Sequence, residues 1–182
     1  MSLFYSDTFT MPAPAVASGS NCRVPYLAYT VRAIGLKKKC EFIKEKGYHR
    51  TTLSCEILGP DPATDKDGKQ YAVAGRKFEI GLPISPESKQ YGEVVTALTE
   101  WGYANPDGSI NIQQFWDDVQ NQKLFFKVML DSEESVVKDG NGQAVPGPDG
   151  NPLTRGWRIT WVQPKQLLYR VNSDAPTSNA PY

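Results

Sequence analysis

Histidine is nearly missing from this chain: His49 is the only one among 182 residues. A hydrolytic relay needs a base, an orienting carboxylate and a nucleophile, and no recognisable set surrounds His49. Cysteine is scarce and odd in number, with Cys22, Cys40 and Cys55 widely spaced. That argues against a disulfide framework. With no C-x-x-C and no H-x-x-x-H, it also removes the ligands of a zinc site. There is no G-x-x-x-x-G-K-[ST], no G-x-G-x-x-G and no G-x-S-x-G, so phosphate-cradling loops and nucleophile elbows are not indicated. Mean hydropathy is −0.46, and no apolar run of about 18 residues occurs, which excludes a membrane-spanning helix. Residues 1–20 hold no Lys or Arg and no apolar stretch of the kind a secretory leader needs. The expectation is a soluble, cytoplasmic, non-enzymatic protein with no cofactor and no metal.

What is present points to a β-rich single domain. Glycine (15) and proline (14) are frequent, and hydrophobic residues make up 40% with 11% aromatic. Many turns are therefore expected, and a helical bundle is not. Residues 1–21 read as a flexible Ser/Pro/Ala-rich arm, 22–171 as the folded body and 172–182 as a tail of the same character as the arm. In the body, Leu27, Tyr29, Val31 and Ala33 alternate with Tyr26, Ala28, Thr30 and Arg32, and Gly35 marks a bulge or bend. Gly47 turns the chain into a second strand, His49–Leu58, with Thr51, Leu53, Cys55 and Ile57 on its inner face. Phe78, Ile80 and Leu82 mark a third. The period then becomes helical. Ser85-Pro86 reads as an N-cap and first turn, Tyr91, Val94, Val95, Leu98 and Trp101 form one stripe, and Gly102 ends it. A short helix is expected over Ile110–Val119, with the pair Asp117-Asp118 as solvated helix-end acids. A strand over Lys123–Leu130, a long hairpin loop over 131–155 and a strand from Gly156 complete the order. The pattern is mainly β: a small antiparallel barrel of OB type, about five strands, with one main helix (86–101) between strands 3 and 4.

The zero net charge conceals polarity. Residues 1–60 hold 8 basic and 4 acidic side chains, whereas residues 61–121 hold 5 and 10. The basic stretch includes Arg32, Lys37, Lys38, Lys39, Lys44, Lys46 and Arg50. Aromatic residues interleave with cations here and further on: Phe42 and Tyr48, then Tyr71 beside Arg76 and Lys77, then Trp157 between Arg155 and Arg158. Cations for phosphates plus rings for base stacking are what single-stranded nucleic acid requires. The competing reading is that the lysines guard a strand edge and the tryptophans fill the core. Trp157, next to the flexible loop, is expected to offer a ring face, and Trp161 to be core. Trp116 is expected to be shielded from phosphates by Asp117 and Asp118.

Over roughly residues 22–171 the layout resembles the OB-fold single-stranded-DNA-binding proteins of tailed bacteriophages. The resemblance rests on a basic first hairpin (RAIGLKKKCEFIKEK), a helix after the third strand (SPESKQYGEVVTALTEWG), a short acidic helix into the fourth (INIQQFWDDVQNQKLFFKVML) and a Gly-rich loop into the fifth. It implies sequence-tolerant binding of single-stranded DNA in phage replication or recombination, with a homodimer and replication or recombination proteins as further partners. The tail NSDAPTSNAPY departs from the family's acidic tails, holding one acid, Asp174. The alternative is a non-enzymatic structural or assembly protein of a virus particle.

Overall fold

The period-two alternation over residues 27–59 becomes the longest hairpin of the molecule. In a computed structural model, residues 16–17, 22–160 and 166–171 are described. The rest of the arm, Trp161 and the tail lie outside the described residues. The elements are β1 (Val16–Ala17), β2 (Leu27–Ile43), β3 (Tyr48–Gly59), β4 (Ala63–Thr64), β5 (Gln70–Tyr71), β6 (Lys77–Pro83), α1 (Tyr91–Glu100), α2 (Ile112–Gln120), β7 (Phe125–Val136), β8 (Thr154–Thr160) and β9 (Leu167–Val171). The main sheet is antiparallel and runs β6-β3-β2-β7-β8, with β9 also on β7. A small sheet, β1-β5-β4, joins β1 to β5 in parallel. No helix among the described residues is long and apolar enough to cross a membrane.

The inner face follows the alternation. Tyr29, Val31, Ala33, Leu53, Cys55, Ile57, Ile80, Leu82, Phe126, Val128 and Leu130 are fully buried. They meet Val94, Leu98 and Trp101 of α1 and its cap, and Phe115 and Val119 of α2. Burial pushes the thiol of Cys55 up, so it stays a neutral core group. The sheet is not closed into a barrel: among the described residues no pairing joins β6 to β8 or β9. Helix α1 instead touches both β6 and β9. It fills the gap that barrel closure would need.

Three expectations are corrected. Helix α1 starts at Tyr91, five residues after Pro86, and Gln90 caps it without a side-chain bond. Residues 85–90 form turns instead, and the Ser85 hydroxyl accepts from the His49 amide at 3.0 Å, so it serves β3 rather than a helix. The far end is as expected. Gly102 takes φ 87°, the Tyr103 amide bonds Leu98 O at 2.9 Å and the Gly102 amide bonds Thr99 O at 3.0 Å, a Schellman ending that needs glycine.

Asp118 is buried rather than solvated. It accepts from the Tyr103 hydroxyl at 2.9 Å and Gln114 Nε2 at 3.0 Å, and pairs with Arg170 at 3.1 Å. Arg170 also donates to Trp101 O at 3.1 Å. One guanidinium thus ties α1's end, α2 and β9. Burial, then the bond to Asp118, pushes the Tyr103 phenol up.

The loop expected over 131–155 is shorter. β7 continues to Val136 and β8 begins at Thr154, with Glu134 opposite Trp157 and Val136 opposite Thr154. The intervening residues fold into two tight turns, 139–143 and 147–151, wired like those at 65–69 and 105–109. In each, the first residue's amide bonds the fifth residue's carbonyl, and the fourth residue is a glycine with φ between 79° and 83°. The Asp-Gly and Asn-Gly steps supply that left-handed position.

Asp118→Ala is expected to cost about 2 kcal/mol in urea unfolding. This is less than for a fully buried pair, because Arg170 keeps 32% of its side chain exposed. The loss should shrink when Arg170 is already Ala. Replacing residues 138–152 by Asn-Gly, joining Val137 to Leu153 where they already bond, should shift the thermal midpoint by no more than about 4 °C. A larger fall would show that the excursion packs on the body.

Candidate nucleic-acid interface

The two neighbours of the long hairpin reach different heights along it. β7 pairs β2 from Leu27 to Arg32, and β6 pairs β3 from Arg50 to Glu56. Beyond the β7 pairing, β2 and the turn carry Lys37, Lys38, Lys39, Cys40, Phe42, Lys44 and Lys46 at the surface, while β6 runs beside β3 as far as Arg50. From the Val31–Ile57 pair to the Phe42–His49 pair, β2 advances eleven residues and β3 eight, the difference taken up in bulges. One bulge is at Gly35, as its composition implied. Bulges increase local twist and re-aim side chains.

Thr51 sits at the base of the bulged segment, with Oγ1 2.8 Å from Lys39 O and 3.2 Å from Lys38 O. The same oxygen accepts from the Trp116 indole N–H at 3.1 Å. Trp116 therefore stands against the hairpin, with the Lys39 ammonium 4.6 Å from its ring centre and 3.4 Å from Gln113 Oε1. By alternation His49 shares the face of Thr51 and Leu53. Its ring lies 5.1 Å from that of Phe42, which is 54% exposed. The inner face of the hairpin thus presents Phe42, His49 and the Lys39–Trp116 pair beside α2. The sequence reading set His49 and Trp116 aside. The signal for His49 was available: fixing the four-residue turn at 44–47 places Phe42 opposite it.

On the outer face several expected phosphate ligands already have partners. Arg32 pairs with Glu56 at 2.8 Å, Lys37 with Glu79 at 2.5 Å and Arg50 with Glu41 at 3.1 Å. The Arg50 side chain lies flat over Gly81, where a Cβ would sit 2.8 Å from its Cδ. Lys38, Lys44 and Lys46 have no ion-pair partner among the described residues. Lys127 and the exposed Tyr169 also reach the outer face by alternation, and sequence reading missed both.

The remaining expected residues do not join this surface. Glu134, opposite Trp157, lies four residues past the Leu27–Leu130 pair, away from the hairpin tip. Trp157 and Lys37 therefore sit toward opposite ends of the sheet. One face of Trp157 lies under the Arg23 guanidinium, 5.7 Å away, and the ring is half-buried. Arg76 is not free: it donates to Cys22 O, and to Trp157 O at 3.2 Å. Tyr71 is buried, with its hydroxyl bonding Asp65 at 3.2 Å, so it cannot stack on a base. Arg158 pairs with Glu133. Lys77 and Arg155 are exposed near this end, and Tyr48 is half-buried at the hairpin turn.

Among the described residues no group of three His, Cys, Asp or Glu side chains could hold a metal ion. No protein-family model matches the chain, and neither curated proteins nor solved structures give a match.

Thr51→Val keeps the shape but leaves the Trp116 N–H without its acceptor. It should cost about 1–3 kcal/mol in chemical unfolding and change the Trp116 contribution to fluorescence. An unchanged protein would show that the bulge is held by backbone pairing alone.

Proposed function

We propose that the chain binds single-stranded DNA without strong sequence preference, through the inner face and tip of the β2–β3 hairpin together with Trp116, in DNA replication or recombination. The observation that supports this reading is a hairpin end where Lys38, Lys44 and Lys46, unpaired among the described residues, stand beside the exposed Phe42–His49 ring pair. Phosphates take the cations, while bases stack on the rings. Sequence tolerance follows because every base has a face, and no helix among the described residues is placed to read base edges. The fold that accompanies this reading is the open antiparallel sheet with α1 between its ends. Relative to the sequence expectation, the interface shifts toward Phe42, His49 and Trp116 and away from Trp157.

The test is a titration of labelled oligo-dT at several salt concentrations. The variant with Lys38, Lys44 and Lys46 all replaced by Ala should bind more weakly and lose about 2 from the log–log salt slope, at about 0.7 per phosphate contact. Lys37→Ala should matter less, and Trp157→Ala should leave affinity unchanged. An unchanged slope in the triple variant would remove the hairpin from the interface. If the unaltered protein ignores oligo-dT, the nucleic-acid reading falls and the assembly-protein reading takes its place.

A further inference from the structure

His49 is the only histidine of the chain, and it stands exposed at the hairpin end. Its backbone is fixed by the segment that follows β6. The amide donates to Ser85 Oγ at 3.0 Å, and the carbonyl accepts from the Ile84 amide at 2.9 Å. Its ring leans on that of Phe42, 5.1 Å away and tilted by 51°. A ring placed before binding gives up little freedom when it takes a ligand. Imidazole is also the side chain whose charge ordinarily changes near neutrality. Lysine and carboxylate groups keep one sign there.

The charges around the ring come from four elements. The turn brings Lys44 and Lys46 with Glu45 between them, and none of the three is in an ion pair among the described residues. β2 brings Lys39, which rests on Trp116, while Glu41 pairs with Arg50 on the other face. α2 brings Asp117, which accepts from Gln113 Nε2 at 2.6 Å. The 85–90 segment brings exposed Lys89 and Glu87. The Glu87 carboxyl is held below the usual carboxylate range, chiefly by its bond to Ser85 and in smaller part by His49. Lys44 follows Phe42 by two residues and Lys46 precedes His49 by three, so a phosphate on either lysine comes within reach of the imidazole.

We propose that a phosphate of the strand bound at the hairpin is held by the imidazolium of His49, so that binding takes up one proton from solvent and release returns it. This rests on the single-stranded-DNA reading above and adds a ligand of another kind to it: His49 contributes a charge as well as a ring face. The sign follows from electrostatics. An anion beside the ring favours the charged form, so affinity rises as pH falls, and the gain is lost as pH rises through the ring's midpoint in the complex.

A single histidine makes the test direct, because the ring protons of the full chain give one titrating signal by NMR. That signal is followed from about pH 5 to 8, free and saturated with oligo-dT, whose phosphodiesters and bases do not titrate in this range. The midpoint should rise by about half a pH unit in the complex, the size expected of an exposed ion pair. By linkage, oligo-dT should then bind about threefold more tightly at the acid end than at the alkaline end, at fixed ionic strength. His49→Phe keeps a ring beside Phe42 at an exposed position and removes only the charge, and its affinity should not vary with pH. A midpoint that stays or falls while oligo-dT binds, or a pH dependence that survives in His49→Phe, would overturn the proposal and leave the single-strand reading standing. A protein that binds oligo-dT at no pH removes both.

Discussion

β2 is paired on one edge along nearly its whole length and on the other along six residues only. The rest of the architecture depends on that asymmetry. β7 starts at Phe125, and its last tie to β2 is the Ala33 amide bonding Leu124 O at 2.9 Å. Further out along β2, helix α2 takes the place of a strand. A helix satisfies its own backbone groups, so it covers the sheet face without extending the ladder. Distal β2 is therefore hydrogen-bonded on one edge only, and its extra residues bulge where no strand pairs the other edge. Thr51 makes this arrangement cohere: one hydroxyl serves the bulged carbonyls and the indole that anchors α2.

Charge is distributed by the same logic. Where β6, β3 and β2 run side by side, cations face acids across the strands, and the pairs Arg32–Glu56, Lys37–Glu79 and Arg50–Glu41 form. Partly exposed pairs of this kind add little stability. Their larger effect is to cancel the field over the outer face of the sheet. Lys38, Lys44 and Lys46 form no ion pair among the described residues, although Glu45 stands in the turn between two of them. Pairing on the body thus leaves the unpaired cations gathered at the hairpin end.

The sequence made legible what repeats with a short period. Alternation located β2, β3, β6 and the buried half of β7, and the glycines at 35, 47 and 102 fell at a bulge, a turn and a helix end. Illegible were the features that depend on long-range partners. Ser85 has the chemistry of a cap, but the β3 amide at His49 takes its hydroxyl first. Asp118 looked solvated because its partners, Tyr103 and Arg170, lie 15 and 52 residues away. Alternation also assigns a residue to a face without saying how far along the sheet it lies. Trp157 and the lysine hairpin share the chemistry of one site, yet the Glu134–Trp157 and Phe42–His49 pairings place them at opposite ends.

That separation gives the domain a head and a tail. At the Trp157 end the entering chain is fixed from several sides. Val24 donates to and accepts from the Ser132 hydroxyl at 2.8 Å, Arg76 donates to Cys22 O, and the Cys22 thiol lies 3.3 Å from Ala72 O. Arg76 is a clamp for this reason: with one branch on Cys22 and the other on Trp157 O, it locks the start of the body to β8. A chain held so firmly at Cys22, and paired again at Val16, leaves the domain in a defined place and on one end. The unpaired lysines lie at the other. The arginine clamp and the cationic hairpin therefore lie at different ends, so loosening the entry of the chain need not disturb the tip.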